Sequence, residues 1–314
     1  MEWFSIIVTV LGLSLFEIII SVDNAIINAE VLGTMSKRGR KWFLLWGILI
    51  AVFLVRGLLP WAIIWVSNPG LGFLGSFTAS FSSDPAVKGI IEQSAPILLL
   101  GGGTFLMFLF LHWIFLEPKH YGLIGERFIE KKGVWFFAVV SVLLCTIVWF
   151  AIKKNPLAAF GAVVGSTAFF ITHGFKENAE QAEKMMLEGS SNMSDLSKIL
   201  YLEVIDATFS IDGIIGAFAF TFVLPIILIG NCLGALFVRQ LTLMNIENVK
   251  KYKYLKNGAM YSIFALGAVM ILHSFGAHIP EWVSPLLTFA IIGYFFYKSH
   301  RELKVSTKKF IRER

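Results

Sequence analysis

Two short, related stretches of an otherwise apolar chain carry matched oxygen-bearing side chains. Residues 15–29 read LFEIIISVDNAIINA and residues 205–217 read IDATFSIDGIIGA. Placing SVDNAII over SIDGIIG pairs Glu17 with Asp206, Ser21 with Ser210 and Asp23 with Asp212. On a helix, Glu17, Ser21, Asn24 and Asn28 fall on one face at i, i+4, i+7 and i+11; Asp206, Ser210 and Gly213 repeat that face, and Glu203 joins it one turn earlier. Asp23 and Asp212 stand roughly 120° off the stripe at 3.6 residues per turn. Carboxylate and amide oxygens are hard ligands suited to Ca²⁺, Mn²⁺ or Mg²⁺, whereas thiolate and imidazole clusters select softer ions. The chemistry expected is therefore the handling of a hard divalent cation by Glu17, Asp23, Asn24, Glu203, Asp206 and Asp212, supported by Ser21, Asn28 and Ser210. Closely spaced carboxylates in low dielectric resist joint ionisation, so an emptied site takes up protons.

Composition sets the solvent for these acids. Of 314 residues, 56% are hydrophobic and 15% aromatic, and the mean hydropathy is +0.73, which excludes an ordinary soluble domain and indicates an all-α polytopic membrane protein. An acid at the centre of a membrane helix costs about 2.5–3.5 kcal/mol to insert, so four require one another, water or a cation.

Nine membrane-spanning helices are expected to position the motifs. The first apolar run, from Trp3 to about Leu32, is some 45 Å long at 1.5 Å per residue against a hydrocarbon core of about 30 Å, so it must tilt, bend or break. No basic segment precedes it and Glu17 interrupts it, so it is read as a retained helix and not a signal peptide. The others are expected at about 42–66, 96–115, 134–152, 157–174, 199–223, 225–241, 255–275 and 282–297. Residues 67–96 read as a Gly-, Ser- and Pro-rich loop, residues 176–198 as a polar cytoplasmic linker containing a short helix, and residues 299–314 as a basic tail. With the N-terminus outside, 22 Lys and Arg fall in inside loops and the tail, three outside (Lys88, Lys153, Lys154), and two inside helices (Arg56, Arg239). That asymmetry sets the C-terminus in the cytoplasm, with the plasma membrane as the default location, and explains the net charge of +6 without a nucleic-acid partner.

Similarity extends beyond the acid motif. FLVRG at 53–57 is similar to LFVRQ at 236–240, and LHW at 111–113 to LHS at 272–274. Residues 3–116 and 199–276 are therefore two repeats, joined by connecting helices over 134–175. An offset of five spans makes them inverted, an arrangement in which transporters place a substrate site at the midplane.

The paired motifs FEIIISVDNAII and DATFSIDGIIGAF resemble those of the TerC family of integral membrane proteins, and HGFKEN at 173–178 with the nine spans resembles its DUF475 branch. The resemblance implies a superfamily of inverted-repeat cation exporters, with members linked to manganese or calcium efflux. It places the acid-bearing positions at Glu17, Asp23, Asn24, Asp206 and Asp212. Asn24 is matched by Gly213 and Asn28 by Ala217, so the two halves of the site differ.

The leading expectation is a secondary exporter of a divalent cation, Mn²⁺ before Ca²⁺, coupled to protons; it is not an enzyme, holds no resident cofactor, and has lipid as its other partner. Two alternatives stay open: a transporter or channel for an oxyanion or amino acid held by Arg56 and Arg239, and an intramembrane aspartyl enzyme, against which stands the lack of a GxGD sequence. Absence of a Walker motif argues against an ATP-driven pump. A blander reading makes Arg56 and Arg239 static partners of the acids. His112, His173 and His273 read as helix-interface histidines, Cys145 and Cys232 as small buried hydrophobes, and Gly101–Gly103 as close helix packing.

Overall fold

The computed structural model describes residues 3–47, 56–67, 69–81, 85–119, 122–187, 194–244 and 251–312. Among them it is all-helical, with no strand. The helices are α1 (Trp3–Ile20), α2 (Val22–Gly33), α3 (Lys37–Trp42), α4 (Arg56–Ser67), α5 (Gly72–Phe81), α6 (Pro85–Leu116), α7 (Ile124–Glu130), α8 (Phe136–Ile152), α9 (Pro156–Leu187), α10 (Asp195–Ala217), α11 (Leu224–Met244), α12 (Leu255–Ser274) and α13 (Val283–Arg312). Five helical stretches among the described residues are long and apolar enough to cross a bilayer: Trp3–Ile20, Ser94–Leu116, Gly133–Ile152, Pro156–Lys176 and Leu255–Ser274. Gly57–Val66 and Leu224–Val238 are shorter apolar helices. The chain is thus an all-α protein with several membrane-crossing helices. Of the nine expected spans, the acid-bearing α10 falls outside this group because Asp195, Lys198, Glu203, Asp206 and Asp212 interrupt its apolar run.

The overlong first run resolves by breaking. At Ser21 the backbone turns to φ −90° and ψ −1°, separating α1 from α2. The hydrogen-bond ladder carries across, from Ser21 N to Glu17 O at 3.1 Å and from Ala25 N to Ser21 O at 2.9 Å, so the break is a kink inside the first motif.

Three segments differ from expectation. Within the loop expected at 67–96, α5 forms after Gly72 adopts φ +67°, a left-handed turn that glycine tolerates. Its aromatics fold back on α4: the Phe73 and Phe77 rings lie 4.1 and 5.4 Å from that of Trp61, whose indole N–H donates to Phe73 O. Aromatic packing overrides the Gly/Ser content there. Second, α9 continues from its apolar half to Leu187, since the residues after Gly174 are mostly good helix formers with neither Pro nor Gly among them. Third, α13 runs on through most of the basic tail to Arg312.

At the centre of the packing lies α6, flanked by α9 and α12. Its glycine run serves close approach, as expected. A Cβ on Gly101 would stand 2.8 Å from Gly161 O, and one on Gly103 would stand 3.0 Å from Gly267 O. Lipid supplies no hydrophobic drive for helices to associate, so such small-residue contacts determine which helices touch. By contrast α8 turns Phe137, Trp149 and Phe150 outward, away from the rest of the protein.

Just beyond the end of α6, Lys119 folds back over Trp113, its Nζ 4.1 Å from the ring centroid and donating to the carbonyls of Trp113 and Glu117. Burial pushes this ammonium down from 10.5 to about 8, against the opposing pull of Glu117. A lysine pKa lower in the fold than in the unfolded chain makes the protonated form a penalty, in full force below about pH 8 and relieved as pH rises toward 10.5. Amine-selective labelling of Lys119, followed by mass spectrometry, is expected to turn on with a midpoint near pH 8; a midpoint at the ordinary lysine value contradicts this packing.

Candidate functional site

The first motif places its acid against the second. Glu17 is 1% exposed, and its carboxylate lies over the bare backbone of Gly213, where an added Cβ would stand 2.7 Å from Oε2. On the other side Gly234 of α11 receives the stem of the same residue: an added Cβ there would stand 2.6 Å from Glu17 Cβ. Two glycines on different helices therefore make the socket that seats Glu17. Ser21, one turn along α1 and at the kink, donates its hydroxyl to Glu17 Oε1 at 2.7 Å. The i, i+4 spacing read from the sequence is thus a real contact. The matching Ser210 bonds instead to its own helix, donating to Asp206 O at 2.6 Å.

Further contacts set the register of the two motifs. Phe16 meets Gly216 and Glu17 meets Gly213, while farther along Lys198 Nζ donates to Thr34 Oγ1 at 3.0 Å and Ser36 bonds to Asp195. Residues advancing along α1 and α2 meet residues retreating along α10, so the motif helices are antiparallel. Val31, Leu32, Met35 and Phe43 pack with Ile199 and Leu202 in a hydrophobic cluster at the far end of the paired motif helices. Between that cluster and Glu17 lie the buried polar positions Ser21, Asn28, Glu203, Asp206 and Ser210. The side chains of Asp23, Asn24, Arg56 and Arg239 lie outside the described residues, and among those described no three His, Cys, Asp or Glu side chains converge in a metal-binding cluster.

Asp212 has a partner that sequence reasoning missed. Lys176, on the continuous α9, directs Nζ onto Asp212 Oδ2 in an ion pair whose two residues are 9% and 8% exposed. Asp212 Oδ1, buried as well, has no hydrogen-bond partner among the described residues. The signal was present in HGFKEN, because Lys176 is one turn beyond His173 on an unbroken helix. Hydropathy alone instead ends the span before the lysine. In the same region the rings of His112 and His173 lie 3.7 Å apart, and His173 stacks on Phe169. Both rings are thus packed at the interface of α6 and α9. Cys145 and Cys232 form no disulfide, and against the expectation that both are buried, Cys145 is exposed and Cys232 half-buried on its helix.

A second residue also escaped the sequence reading. Asn231 on α11 is completely buried, and neither its Oδ1 nor its Nδ2 has a hydrogen-bond partner among the described residues. It is one turn from Gly234, beside the face that seats Glu17, and Ser14 donates to the carbonyl of neighbouring Gly230. An unsatisfied buried amide is costly in lipid or protein alike, so this position calls for a polar partner such as water or an ion.

The arrangement can offer carboxylate and amide oxygens to a small hard cation, with one charge already balanced by an ammonium. Compared with known proteins, residues 22–305 match the family described as protein of unknown function (DUF475). No curated protein and no solved structure matches the chain. With residues 22–305 matched, which take in all of the second motif and the first from Val22 onward, the chain belongs to the DUF475 family.

Proposed function

We propose that this protein is a secondary transporter that exports a divalent metal cation, Mn²⁺ in preference to Ca²⁺, in exchange for protons. The reading rests chiefly on Glu17 of the first motif being seated against Gly213, the residue after Asp212 of the second, on antiparallel helices. Buried carboxylates shared between two related segments are costly in a bilayer and are expected where an ion passes. Hard oxygen donors favour Mn²⁺, Ca²⁺ or Mg²⁺ over soft metals. Glu17, Asp23, Asn24, Glu203, Asp206 and Asp212 supply the ligands in this proposal, with Ser21, Asn28, Ser210 and Asn231 in support. Residues 3–116 and 199–276 form inverted repeats within nine spans, consistent with the packing of α6 against its counterpart α12, and the fold joins the TerC-like cation exporters. The N-terminus lies outside the plasma membrane and the C-terminus in the cytoplasm.

An oxyanion carrier would require Arg56 and Arg239 to outweigh these acids, and Lys176, a buried cation at the second motif, is already engaged by Asp212. An aspartyl enzyme requires two facing aspartates, whereas the described contact across the helices joins a glutamate to a glycine. Purified protein in liposomes loaded with a pH dye decides among these. Added Mn²⁺ is expected to drive proton movement, Ca²⁺ less, and Zn²⁺ least. Proton movement with none of these ions would remove the proposal.

A further inference from the structure

The structure holds a positive charge where the proposed site needs one. We infer that Lys176 is a tethered surrogate for the transported cation: its ammonium occupies the site through Asp212 when no metal is bound, and an arriving divalent ion displaces it. This rests on the transport reading and deepens it, since it concerns how the same site is filled and emptied.

Three observations carry the inference. Lys176 and Asp212 are both buried, so their ion pair is shielded from water and from salt screening. The pair uses only one oxygen of Asp212; the other, also buried, is left without a hydrogen-bond partner among the described residues, so the carboxylate retains capacity for a second cation. Lastly, Lys176 is the final residue of the apolar stretch Pro156–Lys176, and α9 beyond it is polar. A lysine there has a flexible four-carbon stem that lets its ammonium leave the acid without moving the helix.

The consequence is competition. A metal ion must outbid an ammonium covalently held at high local concentration, which lowers affinity and speeds release; after release the ammonium returns and the empty site is not left with an unpaired buried charge. Lys176 is in this sense a positioning residue that resets the site and does not itself ligate the metal.

The test measures Mn²⁺ binding and Mn²⁺-driven flux on the full-length protein in liposomes. Lys176→Gln removes the competitor. It is expected to bind Mn²⁺ about tenfold tighter or more, since close buried charge pairs are commonly coupled that strongly, while turnover falls because release slows. Lys176→Arg keeps the charge but grips a carboxylate in two places, and is expected to bind Mn²⁺ about tenfold more weakly. A purely structural lysine predicts weaker binding or loss of fold in the glutamine variant and near-normal binding in the arginine variant. If the glutamine variant does not fold, the arginine variant alone decides. Unchanged Mn²⁺ affinity in the folded variants, with wild-type binding intact, overturns the surrogate while leaving the transport reading standing. No Mn²⁺ binding or flux in the wild type overturns both.

Discussion

Glu17→Gln and Asp212→Asn are each expected to reduce Mn²⁺-driven flux in liposomes by about 100-fold or more while leaving the protein folded. Even outer-shell partners of a bound metal are worth roughly 10–100-fold in affinity, and a direct carboxylate ligand is worth at least that. Glutamine at 17 keeps the shape that fits between Gly213 and Gly234, and its amide oxygen can still accept from Ser21, so packing survives while the charge is lost. Asparagine at 212 removes the charge that Lys176 neutralises and leaves that ammonium buried beside an amide. Its stability should therefore fall more than that of Glu17→Gln, by a few kcal/mol in the usual range for breaking a buried pair. Asp23→Asn is expected to share the transport defect, as the repeat pairs it with Asp212. Flux is read from the pH dye and folding from the elution profile in detergent. Full activity in both Glu17→Gln and Asp212→Asn would remove the site assignment.

A larger effect on the fold itself is expected from Gly165→Leu. A Cβ at Gly165 would collide with the carbonyl of Gly101, and neighbouring Gly161 is in turn pressed on Ile97 O, so α6 and α9 touch backbone to backbone. The obstacle is main chain, which cannot swing aside as a flexible side chain can. The cost should reach or exceed about 3 kcal/mol, the upper part of the range for overpacked cores. A loss of monodisperse protein or a sharply lowered melting temperature in detergent is the expected result. Gly174→Ala is the control: nothing lies within 4 Å of its would-be Cβ, and a helix interior favours alanine by about 1 kcal/mol, so its melting temperature should stay or rise. Equal behaviour of the two variants would contradict the packing of α6 on α9.

Periodicity made the polar face of the first motif legible. The spacing of Glu17 and Ser21 became a hydrogen bond, and the matching Gly213 became the surface on which Glu17 rests. The excess length of the first apolar run required a tilt, bend or break, and Ser21 is where it breaks. Lys176 was not legible in the same way. A lysine at the end of an apolar run reads as the edge of a span, and only the packing of α9 beside α10 turns it toward Asp212. Asn231 was likewise hidden, because a single amide in an apolar helix has no partner in the repeat and no pattern to mark it. Helix α5 escaped since Gly, Ser and Phe in alternation look like a loop until Trp61 supplies the surface that orders them.

The central claim is that oxygens from the two motifs jointly hold a divalent cation. Titration of the purified protein with Mn²⁺, followed by the loss of the free-ion electron paramagnetic resonance signal, tests it most directly. Saturable binding in the wild type, abolished by Glu17→Gln and by Asp212→Asn alike, is the result expected. Binding that is absent, or that survives undiminished in both variants, would contradict it.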